Sequence, residues 1–279
     1  MLSPVPARLS VLLRTSHPIP CVAVTALSTA LFAVAGKPLP VCLLGAAAVL
    51  AGQLTIGWSN DLLDAQRDRA AGRTDKPLAV APELDRQVRL ALGVALVLTV
   101  LLSLALGWRA AALHAVTVTG GWAYNLGLKA TPFSALAYFL AFGALPALAT
   151  SAIPGSHWPP AWTMLAAGLV GVAAHFGNVL PDLPEDLAAG VLGLPQRLGT
   201  RGSVLAAIAA LLTAAGIIDV QTGFRNPVLT AVGTVAVLAL ALVALRSALR
   251  HPRGHGAFLA TMAAAAVDVT ILAVNHGLG

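Results

Sequence analysis

The sequence predicts an all-α, polytopic membrane protein: about nine transmembrane helices around a central cavity, built as an internal repeat. Three observations carry that reading. Of 279 residues, 58% are hydrophobic and only 10% are charged, with a mean hydropathy of +0.84; soluble domains carry about a quarter charged residues. Apolar stretches long enough to cross a bilayer, about 20 residues each, recur from end to end. Two acidic segments 118 positions apart repeat one pattern.

The expected spans are 18–36, 41–59, 88–106, 109–127, 134–152, 161–180, 203–220, 227–246 and 256–274. Gly107 to Arg109 is a tight connection, which makes the third and fourth spans an antiparallel hairpin. The Ala, Gly and Leu richness fits helices that approach closely through small residues, and no heptad or β-barrel alternation competes. No extended polar stretch offers a second domain, so residues 1–279 read as one membrane domain. The first 17 residues hold Pro4 and Pro6 and no apolar signal-peptide core, which leaves the first span as the expected insertion signal.

Charge sets the orientation. With nine spans and the N-terminus inside, 14 of the 17 Lys and Arg fall on the inner side (Arg8, Arg14, Arg67, Arg69, Arg73, Lys76, Arg86, Arg89, Lys129, Arg197, Arg201, Arg246, Arg250, Arg253), against Lys37, Arg109 and Arg225 outside. The formal charge of +6 is thus a topology signal, with anionic headgroups and anionic substrates as neighbours. Dispersed through short loops, these bases lack a nucleic-acid reading module, which excludes nucleic acid as a partner. Cys21 and Cys42 lie inside apolar spans and read as small hydrophobes.

The eleven acids are unevenly placed: six lie between Asp61 and Asp85, three between Asp182 and Asp186, and only Asp219 and Asp268 fall elsewhere. Adding 118 maps Asn60, Leu62, Asp64, Asp68, Ala70, Ala71, Gly72 and Pro77 onto Asn178, Leu180, Asp182, Asp186, Ala188, Ala189, Gly190 and Pro195, eight identities in 18 positions without a gap. Trp58 and Phe176 share the register, while Val179 replaces Asp61. The expectation is two inner loops, 60–87 and 178–202, facing one another across a shared cavity. On a helix, Asp61, Asp64 and Asp68 share one side and repel unless a cation sits among them. Pro181 and Pro184 make the second copy less regular.

Mg²⁺ takes oxygen ligands octahedrally and is held by one or two carboxylates together with substrate phosphates. Asp61, Asp64, Asp68, Asp182 and Asp186, with Asn60 and Asn178, are the candidate ligands and catalytic acids. Arg67, Arg73 and Lys76 are candidate diphosphate grips. A solvated, positive-inside loop explains the bases but leaves the repeated aspartate spacing without a reason.

At these residues the chain resembles the UbiA superfamily of intramembrane prenyltransferases. Asn60-Asp61-Leu-Leu-Asp64-Ala-Gln-Arg-Asp68 and Asp182-Leu-Pro-Glu-Asp186 stand as its two signatures, and the likeness covers essentially the whole chain. The resemblance implies an isoprenyl diphosphate bound through Mg²⁺ at both motifs, its tail in an apolar cavity, and loops on the cytoplasmic side. It also implies a Y-x-x-x-K pair, for which Tyr124 and Lys129, one residue further apart, are the candidates. Tyr124 reads equally as an interfacial aromatic, and Lys129 as a mark of the inner side. Arg14, in Arg14-Thr-Ser-His17-Pro18, stands either for acceptor binding or for a topology charge.

The implied reaction breaks the allylic C–O bond, with metal and cationic side chains stabilising the departing diphosphate. An electron-rich acceptor, aromatic or lipid-like, then attacks the allyl carbon. Trp58 and Phe176 offer ring faces to the cation, or serve as belt and core packing. A terpene cyclase of the same fold shares the ionisation step. A transporter is the alternative of another class, but transporters place ionisable groups near the midplane, whereas nine of eleven acids here lie in loops. Asp268, His114 and His175 are intramembrane, the histidines reading as hydrogen-bonded helix contacts.

Overall fold

The computed structural model describes residues 5–223, 225–251 and 254–275, with backbone alone at 5–8. Arg253 and the side chain of Arg8, both counted on the inner side, lie outside the described residues. All regular structure described is helical: α1 (Val5–Thr15), α2 (Pro18–Val34), α3 (Leu39–Ala70), α4 (Pro77–Val80), α5 (Asp85–Ala105), α6 (Trp108–Asn125), α7 (Ser134–Ser151), α8 (Ala161–Val179), α9 (Leu183–Ala188), α10 (Leu194–Gln221), α11 (Pro227–Arg250) and α12 (Gly256–Asn275). Each of the nine expected spans is a helix. Seven are long and apolar enough to cross a bilayer, and α1 with α2, bent by 64°, supplies an eighth. The remaining one, α6, is made polar by His114, Thr117, Thr119 and Asn125.

The protein is therefore integral to the membrane, and its surface shows it. Leu90, Val94, Val97 and Leu101 form one stripe along α5, each more than half exposed; lipid tails solvate such a stripe at no cost. Inside, the helices meet through small residues and a few large ones, among them the fully enclosed Phe32, Phe176 and Phe258.

The site is positioned by how two helices end. With 32 residues, α3 is about 48 Å long at 1.5 Å per residue, far more than the ~30 Å hydrocarbon core. Between Trp58 and Ala71 it has neither Gly nor Pro, so the helix carries Asp61, Asp64 and Asp68 out on its last turns. This corrects the expectation of a loop beginning at residue 60: irregular chain starts only at Ala71. In the second copy Pro181 and Pro184 stop α8 at Val179, and a 3₁₀ turn (Leu180–Asp182) and the six-residue α9 follow. Both copies then end alike, at Gly72 (φ +65°) and Gly190 (φ +75°), the left-handed position after a helix that glycine fills without strain.

The α1–α2 corner sits directly on α3. A Cβ at Gly57 would run into the backbone carbonyl of Ser16, so only glycine permits this approach. Lys37, expected as an outer-side charge, has a structural task. Buried at 8% exposure, its ammonium shares three N–H donors among the carbonyls of Thr150 (3.1 Å), Ala152 (2.5 Å), Pro154 (3.0 Å) and Gly155 (3.0 Å), closing the end of α7. Lys37→Met is expected to destabilise the fold by about 2–4 kcal/mol, since charged hydrogen bonds contribute ~1.5–3 kcal/mol and buried carbonyls would lose their donor. Thermal unfolding in detergent or nanodiscs measures it; a melting point equal to wild type would refute the assignment.

Candidate active site

The two acidic segments meet over a cavity of about 820 Å³. Asp61 and Asp64 from α3, Asp182 and Asp186 from the second copy, Asn60, Asn178, Arg67, Arg73, Lys76, Tyr124, Lys129 and Arg14 all line it. Asp68 does not. It is buried one turn further along α3, with Arg67 Nη2 at 3.7 Å from its carboxylate.

Every cavity carboxylate of the first copy is matched with bases. Lys129 Nζ donates to both Asp64 oxygens (2.7 and 2.6 Å), and Arg67 Nη2 lies 3.0 Å from the same group. Asp61 takes a hydrogen bond from His17 Nε2 at 2.8 Å, with Lys76 Nζ at 3.7 Å. His17 is the one described non-glycine residue with positive φ (+53°). It holds this uncommon conformation at the α1–α2 corner, where its ring reaches α3. Asn60 completes this group, 3.4 Å from His17 and 3.5 Å from Lys129.

Arg73 ties the copies together. Its Nη2 donates to Asp182 Oδ1 at 3.0 Å, and its fork also takes Asp75 (2.8 and 2.6 Å). Asp186 accepts from Gln196 Nε2 (3.0 Å), and Asn178, which lines the cavity, gives its amide N–H to the Tyr138 hydroxyl (3.1 Å). Arg14, at the rim, donates to the Asp75 carbonyl at 3.1 Å. Among the described residues no three Asp, Glu, His or Cys side chains stand close enough to enclose a metal ion by themselves. The donor set fits an ion that takes one or two carboxylates and completes its shell with water and phosphate, as Mg²⁺ does.

The basic side of the loop stays charged. Hydrogen bonds and charge from Asp75 and Asp182 push the Arg73 pKa up. Burial would lower Lys76, but the carboxylates of Asp61, Asp182 and Asp68 outweigh it and raise its pKa. Arg73 holds Asp75 down at about 2. A depressed acid contributes stability in full above its unfolded pKa near 3.8 and loses it as pH falls through about 2. The Asp75 side chain is 61% exposed, so Asp75→Asn is expected to cost under about 1 kcal/mol. That difference in unfolding free energy should be constant from pH 5 to 8 and vanish toward pH 2; growth on acidification would contradict it.

Beyond the charges the cavity turns aromatic and apolar. Tyr124 meets Tyr138 edge-on (centroids 5.3 Å) and His175 likewise (5.5 Å), and Tyr138 stacks on Phe142 (6.2 Å, 18°). His175 is itself fixed by Ser134 (3.0 Å), and His114 by Ser103 (2.6 Å), so both are the hydrogen-bonded helix contacts expected. Trp58 and Phe176 do not line the cavity. Trp58 donates its indole N–H to the Leu12 carbonyl (2.9 Å) under α1, and Phe176 is 2% exposed in the core. The rings that line the cavity instead are Tyr124 and Tyr138, the chain's two tyrosines, with Phe142 and Phe258. Tyr138, His17 and Gln196 were missed by sequence reasoning. Tyr138 did leave a signal, as a tyrosine one turn into an apolar span.

A model of the UbiA prenyltransferase family matches residues 22–267. No curated protein matches the sequence. Among solved structures the fold is shared with a UbiA homologue from Aeropyrum pernix K1 (18% identity, TM-score 0.70, 90% of this chain and 97% of that one). It is shared too with a UbiA homologue from Archaeoglobus fulgidus bound to GPP and Mg²⁺ (15% identity, TM-score 0.72, 96% and 99%) and with the same homologue bound to DMAPP and Mg²⁺ (16%, 0.69, 94% and 99%). With that match over most of its length, the chain belongs to the UbiA prenyltransferase family.

Proposed function

We propose that the protein transfers a prenyl group from an isoprenyl diphosphate to an aromatic or lipid-like acceptor, dependent on Mg²⁺, with its acidic motifs at the cytoplasmic face. The observation that carries this is a single cavity with paired carboxylates and cations at one end and aromatic, apolar walls at the other. An amphiphile with an anionic head and a hydrocarbon tail fits that polarity. The solved Archaeoglobus homologue, bound to GPP or DMAPP with Mg²⁺, supports the same ligand class.

Asp61, Asp64, Asp182 and Asp186 would hold the metal, with the Asn60 and Asn178 carbonyls beside them and Asp68 supporting from behind. Bound there, Mg²⁺ supplies positive charge against the diphosphate oxygens and stabilises them as the leaving group. The chain's own cations do the rest of the gripping: Arg67, Arg73, Lys76 and Lys129 exchange carboxylate partners for phosphate oxygens, which accept the same hydrogen bonds. When the allylic C–O bond breaks, its electron pair leaves with the diphosphate. The allyl cation left behind faces the rings of Tyr124 and Tyr138, whose π-faces attract it. The acceptor, through an aromatic carbon or a lipid hydroxyl oxygen, then donates the electron pair of the new C–C or C–O bond and gives up the proton it carried there to the departing diphosphate, which the bond cleavage has left as a base. Arg14, at the cavity rim, is placed to orient an acceptor.

The test is incubation of the purified protein in nanodiscs with isoprenyl diphosphates and Mg²⁺, with and without candidate aromatic and lipid-alcohol acceptors. Diphosphate release and lipid products are read by mass spectrometry. Acceptor-dependent prenylated product is expected. A cyclised hydrocarbon formed without acceptor would assign the cyclase reaction in its place.

A further inference from the structure

The α7 face that lines the cavity climbs away from the charged end through Ala137, Tyr138, Ala141, Phe142 and Leu145, about 12 Å of helix at 1.5 Å per residue. A diphosphate fixed at the carboxylates sends its tail along this face. The cavity ends at Phe142 and Leu145, which are 6% and 2% exposed. On their far side lies a second, separate cavity of about 50 Å³, lined by the same two residues and by Leu31, Trp162, Ile218 and Asp268. Phe142 is held across the boundary by its stack on Tyr138 and by α8, where Gly171 leaves room for it.

Asp268 borders the rear cavity without opening onto it, and the surface that the cavity presents is almost wholly apolar. The residue is 2% exposed, and neither carboxyl oxygen has a hydrogen-bond partner among the described residues. The rear cavity is thus separated from a tail by the Phe142 and Leu145 side chains, which line both spaces.

We infer that Phe142 and Leu145 form the floor of the prenyl site and set the longest chain it accepts, with the small apolar pocket beside Asp268 as the space behind that floor. The inference rests on the proposed prenyl transfer and adds to it the residues that select chain length.

The experiment compares C5, C10, C15, C20 and C25 isoprenyl diphosphates for wild type, Phe142→Ala, Leu145→Ala, Leu145→Phe and the double variant Phe142→Ala/Asp268→Ala. Turnover (kcat/KM) is read by diphosphate release, and affinity independently by competition with the unreactive thiolodiphosphate of each length. Phe142→Ala and Leu145→Ala are expected to raise the preference for the chain one isoprene unit longer than the wild-type limit by about tenfold relative to C10. Leu145→Phe should shift the preference toward shorter chains, and adding Asp268→Ala should extend the gain of Phe142→Ala. The affinity series applies even to a variant with weak turnover. A length profile within about twofold of wild type in Phe142→Ala, Leu145→Ala and Leu145→Phe, with binding retained, overturns the floor while leaving prenyl transfer standing. Failure of wild type to bind any isoprenyl diphosphate overturns both.

Discussion

Asp64→Asn is expected to lower prenyl transfer by about a thousandfold or more while the protein stays folded. The substitution keeps shape and removes one charge from the most heavily committed carboxylate of the cavity, which Lys129 contacts at 2.7 and 2.6 Å and Arg67 at 3.0 Å. Two effects add. An amide oxygen is a poorer partner for a hard divalent cation than a carboxylate, and the two cations lose the anion that holds them in place. Asp68→Asn is the informative contrast. Its carboxylate lies outside the cavity lining and nearest Arg67 at 3.7 Å, so a loss of about tenfold is expected, of the size seen when a supporting residue around a metal ligand is removed. The measurement is diphosphate release across a Mg²⁺ titration, with melting temperature as the folding control. Equal losses in the two variants would remove the distinction drawn between them, and wild-type turnover in Asp64→Asn would remove the mechanism.

Much of this arrangement was legible in the sequence, and the parts that were not share a physical cause. Apolar runs located the helices because the bilayer demands long hydrocarbon-compatible segments whatever they pack against. The aspartate repeat located the acidic end of the cavity because charge cannot be hidden among lipid tails, so acids collect where they have partners. What stayed hidden was direction. Trp58 and Phe176 share a register in the repeat, yet one points under α1 and the other into the core, since helix neighbours outside the repeat decide which way a ring faces. Tyr124 and Lys129 stand one residue too far apart for the family's usual pair. The structure shows why both still reach the cavity: α6 ends at Asn125, Gly127 takes φ +146°, and a 3₁₀ turn (Leu128–Ala130) turns Lys129 back toward Asp64. Lys37 and His17 are likewise contacts between elements distant in sequence, to which spacing rules do not apply.

A charge swap across the cavity separates the two tasks that the Arg73–Asp182 contact can have. In the structure this pair, at 3.0 Å, bridges the copies, with the Arg73 side chain 17% and the Asp182 side chain 44% exposed. If the contact serves only to hold the loops together, reversing it should restore whatever either single change removes. If each group is there for the substrate, Asp182 for metal and Arg73 for phosphate, reversal restores the bridge and not the chemistry. Arg73→Asp alone sets a new acid against Asp75 and Asp182 and should lower the melting temperature, as should Asp182→Arg beside Arg73. In the double variant Arg73→Asp/Asp182→Arg the opposite charges face one another again, so the two stability losses should cancel in large part, as coupled neighbours do. Prenyl transfer should remain about a thousandfold below wild type in all three, because a guanidinium at 182 repels the divalent cation and a carboxylate at 73 repels the diphosphate. Recovery of turnover in step with recovery of stability would assign the pair to loop bridging alone. Stable protein without turnover would make the ion pair between the copies a resting arrangement, in which each partner holds the place that metal or phosphate takes when substrate binds.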